Sequence, residues 1–345
     1  MMTKAKQQQQ QQLNPKPTEG KTNQSDGKER DPLETHWMDA LNQTRVTQFV
    51  FLGLTDNWVL EILFFMAFSA MYVLTLWGNI LIMVTIVFTP RLSTPMYFFL
   101  SNLSFIDICH SSVTVPKMLE GLLFDRKTIS FDNCIAQLFF LHLFSCAEIF
   151  LLTIMAYDRY VAICAPLHYP NVMNMRVCVQ LVFVLWLAGT VHSLVQTFLT
   201  IRLPYCGPNV IDSYFCDVPP VIKLACTDTC LTGMLTVSNS GTISLSCFLA
   251  LVASYTIILV SLRKQSAEGC RKALSTCLAH FVVVALFFGP CIFIYTQPDT
   301  SFSSDKLVSV FYTVVTPLLN PFIYTLRNEE VKSAMKHLRQ RRVFS

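Results

Sequence analysis

The sequence predicts an all-α fold, a bundle of seven transmembrane helices followed by a short amphipathic helix on the cytoplasmic membrane surface. Three observations carry this prediction. Hydrophobic residues make up 52% of the 345-residue chain and charged residues only 14%, against roughly 25% charged residues in soluble domains. The apolar residues fall in long runs of about 20, the length a bilayer's hydrocarbon core requires. Basic residues crowd the ends of those runs on one side.

The runs are Val59 to Phe88, Thr94 to Leu119, Ile135 to Met155, Val177 to Leu199, Met234 to Leu262, Leu274 to Tyr295 and Leu307 to Leu326. Each is predicted helical, because lipid offers no partner to backbone donors and acceptors, and runs this long and apolar do not suit barrel strands. An odd number of spans puts the termini on opposite sides. Arg91, Arg159, Arg176, Arg263, Lys264, Arg271, Lys272 and six basic residues from Arg327 onward share one side. The other side holds Lys117, Arg126, Lys127, Arg202, Lys223 and Lys306. Basic flanks are retained in the cytoplasm, so the N-terminus is expected outside and the C-terminus inside, in a multi-pass plasma-membrane protein.

Four segments follow. Residues 1–37 are polar, carry the run Gln7 to Gln12 and lack the apolar stretch of a signal peptide, so a disordered extension is expected. Met38 is a candidate translation start that would omit it. Residues 38–58 form the extracellular N-terminus, 59–326 the seven-span domain and 327–345 the cytoplasmic tail. In that tail Val331, Met335 and Leu338 share one face among basic residues, the pattern of a helix lying on anionic lipid.

Of 13 cysteines, Cys134, Cys206, Cys216, Cys226 and Cys230 fall on the predicted outer side, where disulfides form. A bond from the loop after the fourth span to Cys134 would pin that loop over the bundle, and five cysteines leave one over, with Cys230 the candidate. Asn42, in Asn42-Gln43-Thr44, is an N-glycosylation acceptor on the same side.

Asp107 and Glu148 lie inside spans, where a carboxylate costs roughly 2.5 to 3.5 kcal/mol. At 1.5 Å per residue they sit about 20 Å and about 15 Å from the cytoplasmic ends of their spans. With Ser104, Ser145 and Asn320 near that depth, the pair suits a hard cation such as Na+ or a shared proton; two protonated acids hydrogen-bonded between helices is the plainer alternative. No other cofactor is expected. In the last span Pro317 and Pro321 remove backbone donors, and Asn320 is expected to satisfy a freed carbonyl.

A ligand cavity is expected in the outer half of the bundle. Leu138, Leu141, Ser145 and Glu148 recur at helical spacing with His142 beside them; Asn239, Ser240, Phe288, Cys291, Tyr295 and Thr313 complete the expected lining. Such a pocket is mostly apolar with a few orienting polar groups, and no charged residue stands in the outer half of the third-span stripe, which disfavours a strongly charged ligand.

Four segments together resemble the olfactory receptor family of rhodopsin-like G-protein-coupled receptors. They are "PMYFFLSNLSFIDICHSS", "MAYDRYVAIC", "KALSTCLAH" and "PLLNPFIYTLRN", and the resemblance runs from about residue 42 to 340. It implies a receptor for small volatile odorants that activates the olfactory stimulatory G protein and raises cyclic AMP. By the same resemblance Asn79, Asp107, Arg159, Trp186, Pro321 and Tyr324 occupy the family's reference and activation positions. Asp158, Arg159, Tyr160, Asn320, Pro321 and Tyr324 then form the switch, with Arg159 held by Asp158 until activation. Asp107 and Glu148 resemble a sodium-type site, and disulfides Cys134–Cys216 and Cys206–Cys226 are implied. Leu141 stands where amine receptors carry an acid. A secondary transporter using Asp107 and Glu148 is the alternative, though no internal repeat accompanies them and there are only 11 glycines. An enzyme is not expected, since H-E-x-x-H and G-x-S-x-G are missing from the sequence, and neither is a nucleic-acid partner.

Overall fold

The computed structural model describes residues 46–343 except 56, 125–126, 263–276, 279, 290–305, 307 and 328. Among the described residues five helices are long and apolar enough to cross a membrane: α1 (Trp58–Phe88), α2 (Pro95–Phe124), α3 (Phe131–Cys164), α4 (Met175–Ile201) and α5 (Cys230–Leu262). Two shorter apolar helices follow, α6 (His280–Gly289) and α7, which enters through a π-helical stretch at Phe311–Val315 and continues as Thr316–Arg327. A surface helix, α8 (Glu329–Val343), closes the chain. The long helices overrun the apolar runs at several ends, because capping groups extend them into the interface. Asn57, Ser130 and Asn174 each accept a backbone N–H of the first turn of α1, α3 and α4, which satisfies a donor that otherwise lacks an intrahelical partner.

Burial is inverted relative to a soluble bundle. On α1 the buried side is Phe68, Thr75, Gly78, Asn79, Ile82 and Thr85, at helical spacing, whereas Trp58, Met66, Val73 and Trp77 are exposed. Lipid is as apolar as leucine, so polar and small residues turn inward and large apolar ones face out. Small residues also set helix approach: a Cβ on Gly78 would stand 3.0 Å from Pro321 of α7, and one on Gly189 of α4 would stand 3.3 Å from the Leu143 carbonyl of α3. Helix α3 lies centrally, packed against α2, α4 and α5, and it buries Ala147, Leu151, Leu152 and Ala156.

A small β-sheet in the order β2-β1-β3, which the periodicity reading did not contain, covers one end. Strand β1 (Gln48–Phe51) runs antiparallel to β2 (Thr128–Ser130) and parallel to β3 (Val210–Ile211). Phe49, Phe51, Ile129, Ile211 and Tyr205 pack beneath it around Cys134 and Cys216. These strands are two to four residues long, too short for an alternating pattern to register. Gly53, at φ 77°, makes the turn that leads from β1 toward α1, a conformation glycine adopts without steric cost. Disulfides join Cys134 to Cys216 and Cys206 to Cys226, and Cys230 is free and exposed. The first pins the loop after α4 to the start of α3. Gln137 reinforces it by accepting from the Cys216 backbone N–H at 2.8 Å and donating to the Val113 carbonyl at 2.8 Å. Asn42, Met38 and residues 1–37 lie outside the described residues.

Candidate functional site

A cavity of about 170 Å³ lies between α3, α4 and α5 beneath the disulfide-pinned loop. Leu141, His142, Ser145 and Ser240 line it, as do Cys146, Ile149, His192, Gln196, Asp217, Phe287 and Tyr312. It is smaller than the roughly 300 to 1,000 Å³ of drug-sized ligand pockets, and its wall is chiefly apolar with one polar pole, the usual make-up of such a pocket.

The polar pole is built from α3, α4, α5 and the loop between α4 and α5. His142 of α3 and His192 of α4 meet edge to face with ring centroids 5.8 Å apart. The Nδ2 group of Asn239 stands 3.2 Å from His192 Nδ1, the geometry of a donated hydrogen bond, and fixes that ring. Gln196 donates through Nε2 to the Thr236 carbonyl at 3.0 Å and to Ser240 Oγ at 2.7 Å, tying α4 to α5. The Nε2 atom of His142 is buried without a hydrogen bond and faces Asp217 Oδ1 at 3.7 Å. Asp217 caps the short helix Val218–Ile222 in the loop, accepting the Val218 N–H at 2.8 Å. Burial holds its carboxyl above the usual carboxylate range, partly offset by that hydrogen bond.

The lining therefore differs from the sequence expectation at named positions. Leu138 is fully buried against Val218 and Ile222, supporting the loop rather than facing the cavity. Asn239 acts through His192, Phe288 packs against Phe248 and Phe287, and the Thr313 hydroxyl is taken by Tyr214 Oη at 3.0 Å and the Ser309 carbonyl at 2.8 Å. Cys291 and Tyr295 lie outside the described residues. Although the outer half of the third-span stripe carries no charge, the loop brings Asp217 to its edge. His192, Gln196 and Asp217 are among the polar lining residues missed, with Thr236, Ser244 and Tyr312. A polar pair one helical turn apart on α4 was the available signal for the first two; nothing local signals Asp217.

Further along α3 from the cavity lies a buried polar layer. Asn320 Nδ2 donates to both carboxylate oxygens of Asp107 at 3.0 Å. Glu148 Oε2 stands 3.2 Å from His110 Nδ1, and His110 Nε2 is 3.3 Å from Ser145 Oγ. Asp107, His110 and Glu148 are wholly inaccessible, and Glu148 Oε1 and Asn320 Oδ1 are buried without a hydrogen-bond partner. Ser145 thus reaches His110, a residue the sequence reading did not single out, rather than an acid. Nor does Asn320 satisfy a proline-freed carbonyl. Pro321 cannot donate to the Pro317 carbonyl one turn back, and Asn79 of α1 does so instead, at 3.1 Å. Among the described residues no group of three or more His, Cys, Asp or Glu side chains is placed to hold a metal ion, so any cation would rest on the two acids, the amide and hydroxyls.

Near the C-terminal end of α3 Asp158 accepts from Tyr169 Oη at 2.8 Å. Among the described residues no ion pair joins it to Arg159, because the side chains of adjacent helical residues diverge. Arg159 is 9% exposed and within electrostatic range of Tyr255, His280 and Tyr324, and Tyr255 is hydrogen-bonded to His280. The Tyr160 ring stands 6.1 Å from that of Tyr157. Tyr97 at the start of α2 donates to Glu330 of α8 at 2.6 Å.

A small, mostly apolar cavity, a buried carboxylate layer and a buried arginine, strung along one central helix of a membrane bundle, define a seven-helix receptor. The olfactory receptor pattern matches residues 68–342, and the chain belongs to that family. Olfactory receptor 4E2 of Mus musculus is 86% identical over 308 residues, covering 89% of this chain and 100% of the relative. Olfactory receptor 4E2 of Homo sapiens is 86% identical over 307 residues, covering 89% and 98%. Olfactory receptor 4E1 of Homo sapiens is 64% identical over 299 residues, covering 86% and 95%. The chain is thus an odorant receptor with a multi-pass, seven-helix membrane fold, of a family that is one of receptors rather than enzymes.

Proposed function

We propose that this receptor takes small, mostly apolar volatile molecules into the cavity beneath the Cys134–Cys216 loop and relays their binding to the olfactory stimulatory G protein, raising cyclic AMP. The observation that carries the reading is the continuity of α3: His142 and Ser145 face the cavity, Glu148 joins the polar layer, and Arg159 stands at the cytoplasmic end. A ligand wedged between α3 and α5 biases the relation of those helices, and Tyr255 of α5 lies within electrostatic reach of Arg159. In this reading the membrane orientation is N-terminus outside, Asn42 is glycosylated, and α8 lies on the cytoplasmic leaflet with Tyr97–Glu330 fixing its start.

Asp107 and Glu148 are expected to share a Na+ ion in the resting state. The fit rests on the two orphaned acceptors, Glu148 Oε1 and Asn320 Oδ1, which lack a donor or cation in a layer that already holds two acids. Oxygen-only donors of this kind suit a hard cation. The switch residues are Asp158, Arg159, Tyr160, Asn320, Pro321 and Tyr324; Tyr169 holds Asp158, which leaves Arg159 to the Tyr255–His280–Tyr324 group.

The test is cyclic AMP in cells co-expressing the receptor and the olfactory stimulatory G protein, exposed to a panel of neutral volatiles. Wild type is expected to respond and Arg159→Ala to stay silent at equal surface staining. A signal unchanged in Arg159→Ala would remove that residue from the relay, and substrate uptake by cells lacking the G protein would favour a transporter.

A further inference from the structure

Glu148 lies on α3 and Asp107 on α2, and among the described residues no hydrogen bond from α3 itself orients the glutamate side chain. Its side chain has three rotatable bonds, and one of its oxygens, Oε1, has no partner. What fixes it is His110, one helical turn beyond Asp107 on α2. The imidazole is wholly buried and engaged on both nitrogens, Nδ1 against Glu148 Oε2 at 3.2 Å and Nε2 against Ser145 Oγ at 3.3 Å. One neutral tautomer satisfies both contacts: Nδ1–H donates to the carboxylate, and Nε2 accepts the serine O–H. The ring therefore bridges α2 to two successive turns of α3 and occupies one face of the glutamate. The other oxygen is left for whatever lies between the acids. Asn320 acts in the same manner on Asp107, its Nδ2 bonded to both carboxylate oxygens while its Oδ1 stays free.

We propose that His110 is a positioning residue for the cation site, holding Glu148 so that its free oxygen, with Asp107 and Asn320 Oδ1, presents an oxygen cage to a monovalent cation between α2, α3 and α7. This rests on the cation reading of Asp107 and Glu148 given above. Hydrogen-bonding partners of ligating groups fix ligand orientation, and losing one typically lowers metal affinity by about tenfold to hundredfold.

Thermal unfolding of the full-length receptor in lipid nanodiscs, titrated with NaCl against choline chloride at constant ionic strength, tests it. The wild-type melting temperature is expected to rise with Na+, and Asp107→Asn to abolish the rise. His110→Phe is expected to move the Na+ concentration for half the rise upward by about tenfold or more, with His110→Gln, whose amide N–H can reach Glu148, recovering part of it. If wild type ignores Na+, the cation reading falls and this inference with it. If wild type responds and His110→Phe melts lower at every Na+ concentration with an unchanged half-point, the cation reading stands and His110 is only structural. Should His110→Phe not fold, Ser145→Ala decides, since it frees the ring from its other side. A raised half-point supports the inference and an unchanged one overturns it.

Discussion

Asn79 bonds the Pro317 carbonyl of α7 and its own Thr75 carbonyl, and both acceptors lie where lipid and water cannot reach. Removing the amide leaves the Pro317 carbonyl without a donor, because Pro321 has none to give. Asn79→Ala is expected to cost about 1 to 3 kcal/mol, read as a lower melting temperature of the purified receptor. Asp217 makes the opposite prediction. Burial raises its folded-state pKa above the unfolded value, so the folded state binds the proton more tightly. The penalty is therefore missing below the ordinary carboxylate range, grows as pH rises from that range through the raised value, and is complete only above it. Asp217→Asn keeps an oxygen for the Val218 N–H and sheds the charge. It is expected to melt higher than wild type at about pH 7.5, with the difference shrinking toward about pH 4. A difference that does not change with pH would assign the gain to packing.

Helix α7 begins with a π-helical stretch, in which the Thr316 N–H and hydroxyl both return to the Phe311 carbonyl. That widened turn precedes Pro317, so the helix loses its regular ladder and gains partners from α1 and α2 through Asn79 and Asn320. An element held by partners on other helices depends on them for its arrangement, as suits a signalling helix. The small sheet is stabilised differently, by covalent closure. The Cys134–Cys216 bond joins residues 82 apart, and removing a disulfide typically costs about 2 to 5 kcal/mol. Cys216→Ser is expected to lower surface expression and to flatten odorant response, as measured by surface immunostaining beside cyclic AMP. Loss of response at normal surface level would instead place the loop in ligand binding alone.

For the whole molecule, orientation is the property on which the signalling scheme depends. Basic residues are concentrated at the ends shared by Arg91, Arg159, Arg176 and α8, and retention of positive charge predicts that these face the cytoplasm. An epitope placed after Ser345 is expected to stain only in permeabilised cells, and one in the 206–216 loop in intact cells. The reverse pattern would remove the G-protein reading altogether.

Much of this was legible in the sequence because a bilayer is a demanding solvent. Length and apolarity of a run are enough to require a helix, and the cost of a buried carboxylate is enough to mark Asp107 and Glu148 as a pair needing compensation. The family segments supplied the reference positions and the receptor class. Partners were another matter, because contacts between helices depend on rotation and depth that spacing along one helix does not fix. Asn320 went to Asp107 and left the Pro317 carbonyl to Asn79, 238 residues away in sequence. Ser145 went to His110, Thr313 to Tyr214, and Asp217 came into the cavity from a loop. The sequence determined which segments cross the membrane and which charges must find company there. Only the tertiary structure decided what that company is, since a polar group in lipid bonds with whichever neighbour the packing of large side chains brings within reach.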